Sequence, residues 1–163
     1  MAHDAQSRDR WQKAGIIVGT IVIAFGMVWL NTWQRSVKYC REGQEFLSEG
    51  KLMEAITCFE SAAHAYTPFN SHVVDALNRL WEIGERYERE KPDEPEYALV
   101  AFRSLRSSIY ATRSFYTPHK HWIPRCDEKI KNLVEIQRAR LEQIRQNEQE
   151  IPAETLAPEQ TDP

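Results

Sequence analysis

The chain has 163 residues and a mass of 19.1 kDa, with 42% apolar and 28% charged residues, which fits one folded module with accessory segments and excludes a large enzyme. Its 21 basic and 24 acidic residues leave a formal charge of −3, so the Lys/Arg excess of a nucleic-acid binder is missing and no nucleic-acid partner is expected. Mean hydropathy is −0.60 despite the large apolar fraction. The hydrophobic residues must therefore be concentrated, and they are concentrated near the N-terminus.

Residues 1–13 read as a short polar tail. From Ala14 to Trp33 follow 20 residues without a charge, interrupted by polar side chains only at Thr20, Asn31 and Thr32. At about 1.5 Å per residue such a helix spans the roughly 30 Å hydrocarbon core, so residues 14–33 are expected to form a transmembrane helix with the lipid bilayer as partner. Trp11, Trp29 and Trp33 stand at its ends, and Arg8, Arg10, Lys13, Arg35, Lys38 and Arg41 flank it, as they do at headgroup level. A buried soluble helix would show a polar stripe, and Ile16, Ile17, Val18, Ile21, Val22, Ile23, Phe25 and Val28 leave none. A cleaved signal peptide would need a small-x-small site, whereas Asn-Thr-Trp-Gln-Arg follows Leu30. The basic residues balance on the two sides, so the positive-inside rule returns a tie. The habit of single N-terminal anchors places the main domain on the periplasmic side of a bacterial inner membrane. Gly15 and Gly19 form a small-xxx-small pair that is a candidate helix–helix contact of a homodimer.

The soluble part, residues 34–147, shows apolar spacing of about 3.6 and no alternating strand pattern, so it reads as all-α. A first helix is expected over about 34–48, stopped at Glu49-Gly50, where Gly suits a left-handed C′ position. A second, about 52–66, carries Leu52, Ala55, Ile56, Phe59, Ala62, Ala63 and Tyr66. A third, about 71–90, has Ser71 as its expected N-cap and is stopped by Lys91-Pro92-Asp93-Glu94-Pro95. A fourth, about 96–116, carries Ala98, Phe102, Leu105, Ile109, Thr112 and Tyr116. A fifth, about 123–147, thins into Gln, Glu and Arg. Residues 148–163 are acidic, contain prolines and hold almost no large apolar side chain, so a disordered tail is expected.

Two hairpins with Ala55/Phe59 and Ala98/Phe102 each 43 residues apart point to an internal repeat. Tyr39, Gly43, Phe46, Gly50, Ala55, Phe59 and Ala62 are spaced in a way that resembles the tetratricopeptide repeat (TPR), a helix-turn-helix unit of about 34 residues. Gly43 and Ala55 allow close helix approach, and Phe46 and Phe59 fill the space beside them. The second hairpin departs from the pattern. Leu80, Gly84 and Tyr87 keep the first-helix spacing, but the Lys91–Glu96 turn is longer by two residues before Ala98 and Phe102, and Leu105 stands where a small residue is usual. Pro68 and Pro118 follow the second helices near their customary place. The resemblance covers residues 36 to about 116, with the fifth helix as the solvating cap that repeat stacks need. It implies a binding scaffold whose concave face, built mainly by first helices, holds segments of other proteins.

Several side-chain groups are candidate sites. Between Ala101 and Cys126 lies no Asp or Glu, while Arg103, Arg106, Arg113, Lys120 and Arg125 form a candidate partner-binding basic face. The competing reading is a solvated face paired with Asp75, Glu82, Glu85 and Glu88 of the third helix. His119, His121 and Cys126 lack a ligand rhythm and a fourth partner, so no metal is expected. Cys40, Cys58 and Cys126 are odd in number and fall on helical faces, so no disulfide framework is indicated. No phosphate loop, carboxylate pair or nucleophile–base set appears, so neither catalytic residues nor a cofactor are expected. The aromatic helix ends Tyr66-Thr67-Pro68 and Phe115-Tyr116-Thr117-Pro118, with Trp122, read as caps on the core or as one rim of the domain. The expected function is a membrane-anchored scaffold or accessory subunit of a membrane complex. The alternative is a structural single-pass protein that dimerises through its transmembrane helix and has no client.

Overall fold

The structure is a computed structural model that describes the backbone of residues 2–67, 70–112 and 119–150, with side chains at Lys13 and at 15–67, 70–112 and 119–147. Among the described residues every regular element is a helix: α1 Ala2–Ser48, α2 Leu52–His64, α3 Ser71–Glu90, α4 Glu96–Ala111 and α5 Trp122–Glu150. Each helix from α2 to α5 packs against the one before it, and α1 also touches α3 while α2 touches α4. The helices therefore lie in two layers, with α1 and α3 in one and α2 and α4 in the other.

The apolar segment and the expected first soluble helix are one element. α1 runs 47 residues without a break, about 70 Å at 1.5 Å per residue. The boundary expected at residue 34 followed a change in composition, from apolar to charged. A change of solvent does not break a helix, and between Gly26 and Gly43 there is no Gly or Pro to do so. The stop at Gly50 is where the sequence placed it. Gly50 has φ +75°, its N–H donates to the Leu47 carbonyl (3.3 Å), and the Lys51 N–H reaches back to Phe46 (2.9 Å), which together make a Schellman cap.

Three further boundaries differ from expectation. The N-cap of α3 is Asn70, whose side-chain oxygen accepts from the His72 N–H at 3.1 Å, and Ser71 is the first helical residue. α4 ends at Ala111 instead of 116. There the Ser108 and Thr112 hydroxyls donate to carbonyls of the preceding turn, to Ser104 for the first and to Ser108 and Ile109 for the second. Such side-chain bonds compete with the helix ladder. α5 passes the expected end at 147 and runs to Glu150, while the rest of the expected tail, 151–163, lies outside the described residues, as do Pro68, Tyr116 and Pro118.

The core is one cluster drawn from α2, α3, α4 and α5, with Tyr39, Cys40, Phe46 and Leu47 of α1 packed on its edge. Two glycine–phenylalanine contacts repeat in it. A Cβ on Gly43 of α1 would stand 2.9–3.1 Å from the ring of Phe59 on α2, and a Cβ on Gly84 of α3 would stand 2.6–2.9 Å from the ring of Phe102 on α4. Ala55, Ala62 and Ala98, the other small positions, are fully buried. Phe46 is half-buried, with the Lys51 ammonium 5.7 Å from its ring centre.

Residues 15–30 of α1 pack on nothing in the chain. Ile16 is 70% exposed and Phe25 74%, and the described part of α1 is the one helix among the described residues long and apolar enough to cross a membrane. Gly15 and Gly19 have open space where a Cβ would project.

Candidate functional site

Where α1 and α3 lie side by side they leave a cleft of about 410 Å³, floored by Phe59 of α2. α1 contributes Cys40 and Gln44, one turn apart. α3 contributes Asp75, Asn78, Arg79 and Glu82, whose spacing of three, four and seven puts them on one face. The opposite face of α3, with Val73, Ala76, Leu77, Leu80 and Gly84, is buried against α2 and α4. The amphipathic pattern of the helix thus creates the cleft wall directly.

The cleft is polar and locally charge-paired. Arg79 Nη1 donates to Glu82 Oε2 at 2.8 Å, and His72 Nδ1 lies 3.8 Å from Asp75 Oδ2. Cys40 Sγ donates to the His72 carbonyl at 3.2 Å, tying α1 to the start of α3. Burial, and then the nearby Asp75 carboxylate, push the Cys40 thiol up to about 11, so at neutral pH it is a protonated donor and a poor nucleophile. The amides of Gln44 and Asn78 supply donors and acceptors without charge, the chemistry that pairs with a peptide backbone.

On the other side of α3, a second cleft of about 250 Å³ is lined by Trp81, Glu85, Arg125, Glu128, Lys129 and Asn132 of α3 and α5. Here the guanidinium of Arg125 lies over two rings, 4.3 Å from the centre of Trp81 and 4.8 Å from that of Trp122. Lys129 Nζ donates to Glu88 Oε2 at 2.6 Å, a bond from α5 to α3.

Of the described basic residues of the expected patch, Arg106 and Arg125 take different partners. Arg106 on α4 pairs with Asp127 of α5 at 2.5 Å and lies over Tyr110. Arg125 points the other way, towards α3, because residues 125 and 127 lie about 200° apart around a helix. Arg103 and Lys120 are exposed, and Arg113 lies outside the described residues. Nor do the acids of α3 supply the pairing weighed against this patch: Arg106 takes its partner from α5, while Glu82 and Glu88 pair with Arg79 and Lys129. Asp127 was overlooked in the sequence because it stands just past the acid-free stretch.

His119 and His121 bring their rings to 6.4 Å, and burial, then the neighbouring His121, lower the His119 pKa. Among the described residues no three His, Cys, Asp or Glu side chains gather as a metal site would require. Cys58 and Cys126 are free thiols like Cys40, with Cys126 fully buried and also raised to about 11, chiefly by burial.

The cleft residues Gln44, Asn78 and Arg79 were not singled out from sequence. Their signal was the polar stripe at 75, 78, 79 and 82, which reads equally as a solvated face until α1 is set beside it. No protein-family model, curated protein or solved structure matches the chain.

Proposed function

We propose that the protein is a membrane-anchored docking scaffold: a TPR-like stack of helical hairpins that holds segments of other proteins, as a subunit of a membrane complex. The observation that carries this reading is α1 itself. Residues 15–30, uncharged and with no partner in the chain, continue in one unbroken helix into a bundle that has its own core and an open cleft. Burying such a segment in lipid contributes roughly 25 cal/mol per Å² of apolar surface, which outweighs any alternative that leaves it in water.

The repeated Gly–Phe contacts and the two-layer order support the TPR-like reading, and the cleft between α1 and α3 lies where such a stack would present its first helices. Its paired charges and free amides suit an extended peptide, recognised through its backbone more than through one strong charge. The anchor belongs in the bacterial inner membrane with the bundle on the periplasmic side, a sidedness that a reporter fused after residue 163 reads directly.

The test of the scaffold is crosslinking in native membranes from photoreactive side chains placed at Gln44 and Asn78, with Arg79→Glu as the perturbation. A defined second chain captured from the cleft and lost on Arg79→Glu is the expected result. Capture of a second copy alone, abolished by Gly19→Ile, would replace the scaffold with the homodimer, whose contact face the open Gly15 and Gly19 would supply. No capture of any chain from either position would overturn both readings.

A further inference from the structure

We infer that the end of the bundle nearest the apolar segment rests on the headgroups of an anionic lipid bilayer. This inference rests on the anchor proposed above and adds to it a surface, a posture and a lipid class.

Two contacts fix the level of the bundle along α1. Ser36 is fully buried, and its hydroxyl donates to the carbonyl of Ala62 at 3.3 Å, setting the end of α2 beside residue 36. Cys40 does the same for the start of α3 through His72. Residue 36 lies only three positions past Trp33, the last residue of the uncharged run, about 4.5 Å along the axis. The headgroup layer on each side of the hydrocarbon is roughly 5–7 Å deep. The end of α2 and the residues just after it, with exposed His64 and Tyr66, therefore stand within that layer when residues 14–33 fill the core.

Charge is sorted along the same axis. The sequence has no Asp or Glu between Asp9 and Glu42, between Glu60 and Asp75, or between Glu96 and Asp127. The antiparallel course of the helices turns the described residues 35–41, 61–67 and 119–121 of these stretches towards the end where α1 leaves the apolar segment. That end carries exposed Arg35, Lys38 and Lys120, with Lys38 beside Glu42 at 3.6 Å, while at the far end Glu49, Glu94 and Glu96 are each paired with a cation, Lys51, Lys91 and Arg140. Lys120, two residues before α5, is set higher than the end of α2, since Trp122 packs on Trp81, ten residues into α3. Its charge acts over a Debye length of about 8–10 Å, without direct contact. A negative lipid surface attracts the near end and acts little on the charge-paired far one, so the domain settles against the bilayer instead of standing free on its stalk.

The experiment uses the full chain in nanodiscs of phosphatidylcholine alone or mixed with phosphatidylglycerol, read by amide hydrogen exchange. Incorporation into discs reports on the anchor independently. With phosphatidylglycerol, exchange at residues 64–67 is expected to slow severalfold, while residues 119–122, which make no direct contact, and the turns at 49–51 and 91–95 stay unchanged. Arg35→Gln/Lys120→Gln should erase most of the difference, and Arg35→Glu/Lys120→Glu all of it, with helix content intact. Equal exchange in the two lipids by a chain that remains in the discs would overturn the headgroup contact and leave the anchor standing, as would slowing at the far turns instead. A chain that does not enter discs would overturn both.

Discussion

Replacing Gly84 with alanine sets two effects of known size against each other. In a helix interior, alanine is favoured over glycine by about 1 kcal/mol. Here the new methyl would meet three ring carbons of Phe102 at 2.6, 2.7 and 2.9 Å, where carbon atoms normally sit about 3.5–4.0 Å apart. Phe102 is fully buried, with Trp81 packed edge-on at 5.0 Å, so the ring has to move by most of an ångström into occupied space. Overpacking of this kind costs about 1–3 kcal/mol, and the closeness of the contact places Gly84 in the upper half. The net loss is about 1–2 kcal/mol. At Gly43 the equivalent contact, 2.9–3.1 Å from Phe59, needs a smaller shift, and the two effects nearly cancel. Thermal unfolding followed by far-ultraviolet circular dichroism should show Gly84→Ala lowered by roughly 3–8 °C and Gly43→Ala close to the parent. Adding Phe102→Leu to Gly84→Ala should recover part of the loss, a coupling that a double-mutant cycle isolates. A Gly84→Ala protein as stable as the parent would refute the claim that α3 and α4 are held at this distance by the missing side chain.

Other expectations concern single contacts. Asn70→Ala removes the cap on α3 and should cost about 1 kcal/mol in denaturant unfolding, whereas Ser71→Ala should be nearly silent, because Ser71 makes no capping bond. Arg125→Ala should lose about 1 kcal/mol, and Arg125→Lys should recover only part of it, since a flat guanidinium covers the rings of Trp81 and Trp122 better than an ammonium does. The Cys40 and Cys126 thiols are raised from 9.0 to about 11, so the folded state favours their protonated forms. Their contribution is complete below about pH 9 and is lost as pH climbs towards 11. Stability should therefore fall over that window in the parent and fall less in Cys40→Ser/Cys126→Ala. Alkylation at neutral pH should reach Cys58 first, because it is less buried than Cys126 and its pKa is raised less far.

The helices were legible where local chemistry sets them. Gly50 and the Lys91–Pro95 run end helices by backbone geometry, and the apolar spacing of α3 fixes its buried face without help from neighbours. The signals that misled were of a different kind. The drop in hydropathy after Trp33 marks a change of surroundings, and the backbone runs through it. The basic residues of α4 and the following segment look like one patch in sequence, yet Arg106 pairs with Asp127 on one face of α5 while Arg125 leaves another face to cover Trp81 and Trp122. The cleft was hidden for the same reason, since its two walls are 31 or more residues apart along the chain and each wall alone resembles a solvated stripe. Gly84 shows the converse: its spacing was visible, but only the packed ring of Phe102 gives that spacing a consequence.

An uninterrupted α1 makes the apolar segment and the cleft wall parts of one rigid shaft. Any swivel of the N-terminal half about its long axis is delivered undamped to Cys40 and Gln44, and one residue inserted near Asn31 would redirect that wall by about 100°. The compass bearing of whatever the cleft grips is thus chosen some 15 Å below it, by how the greasy half is gripped by its own surroundings.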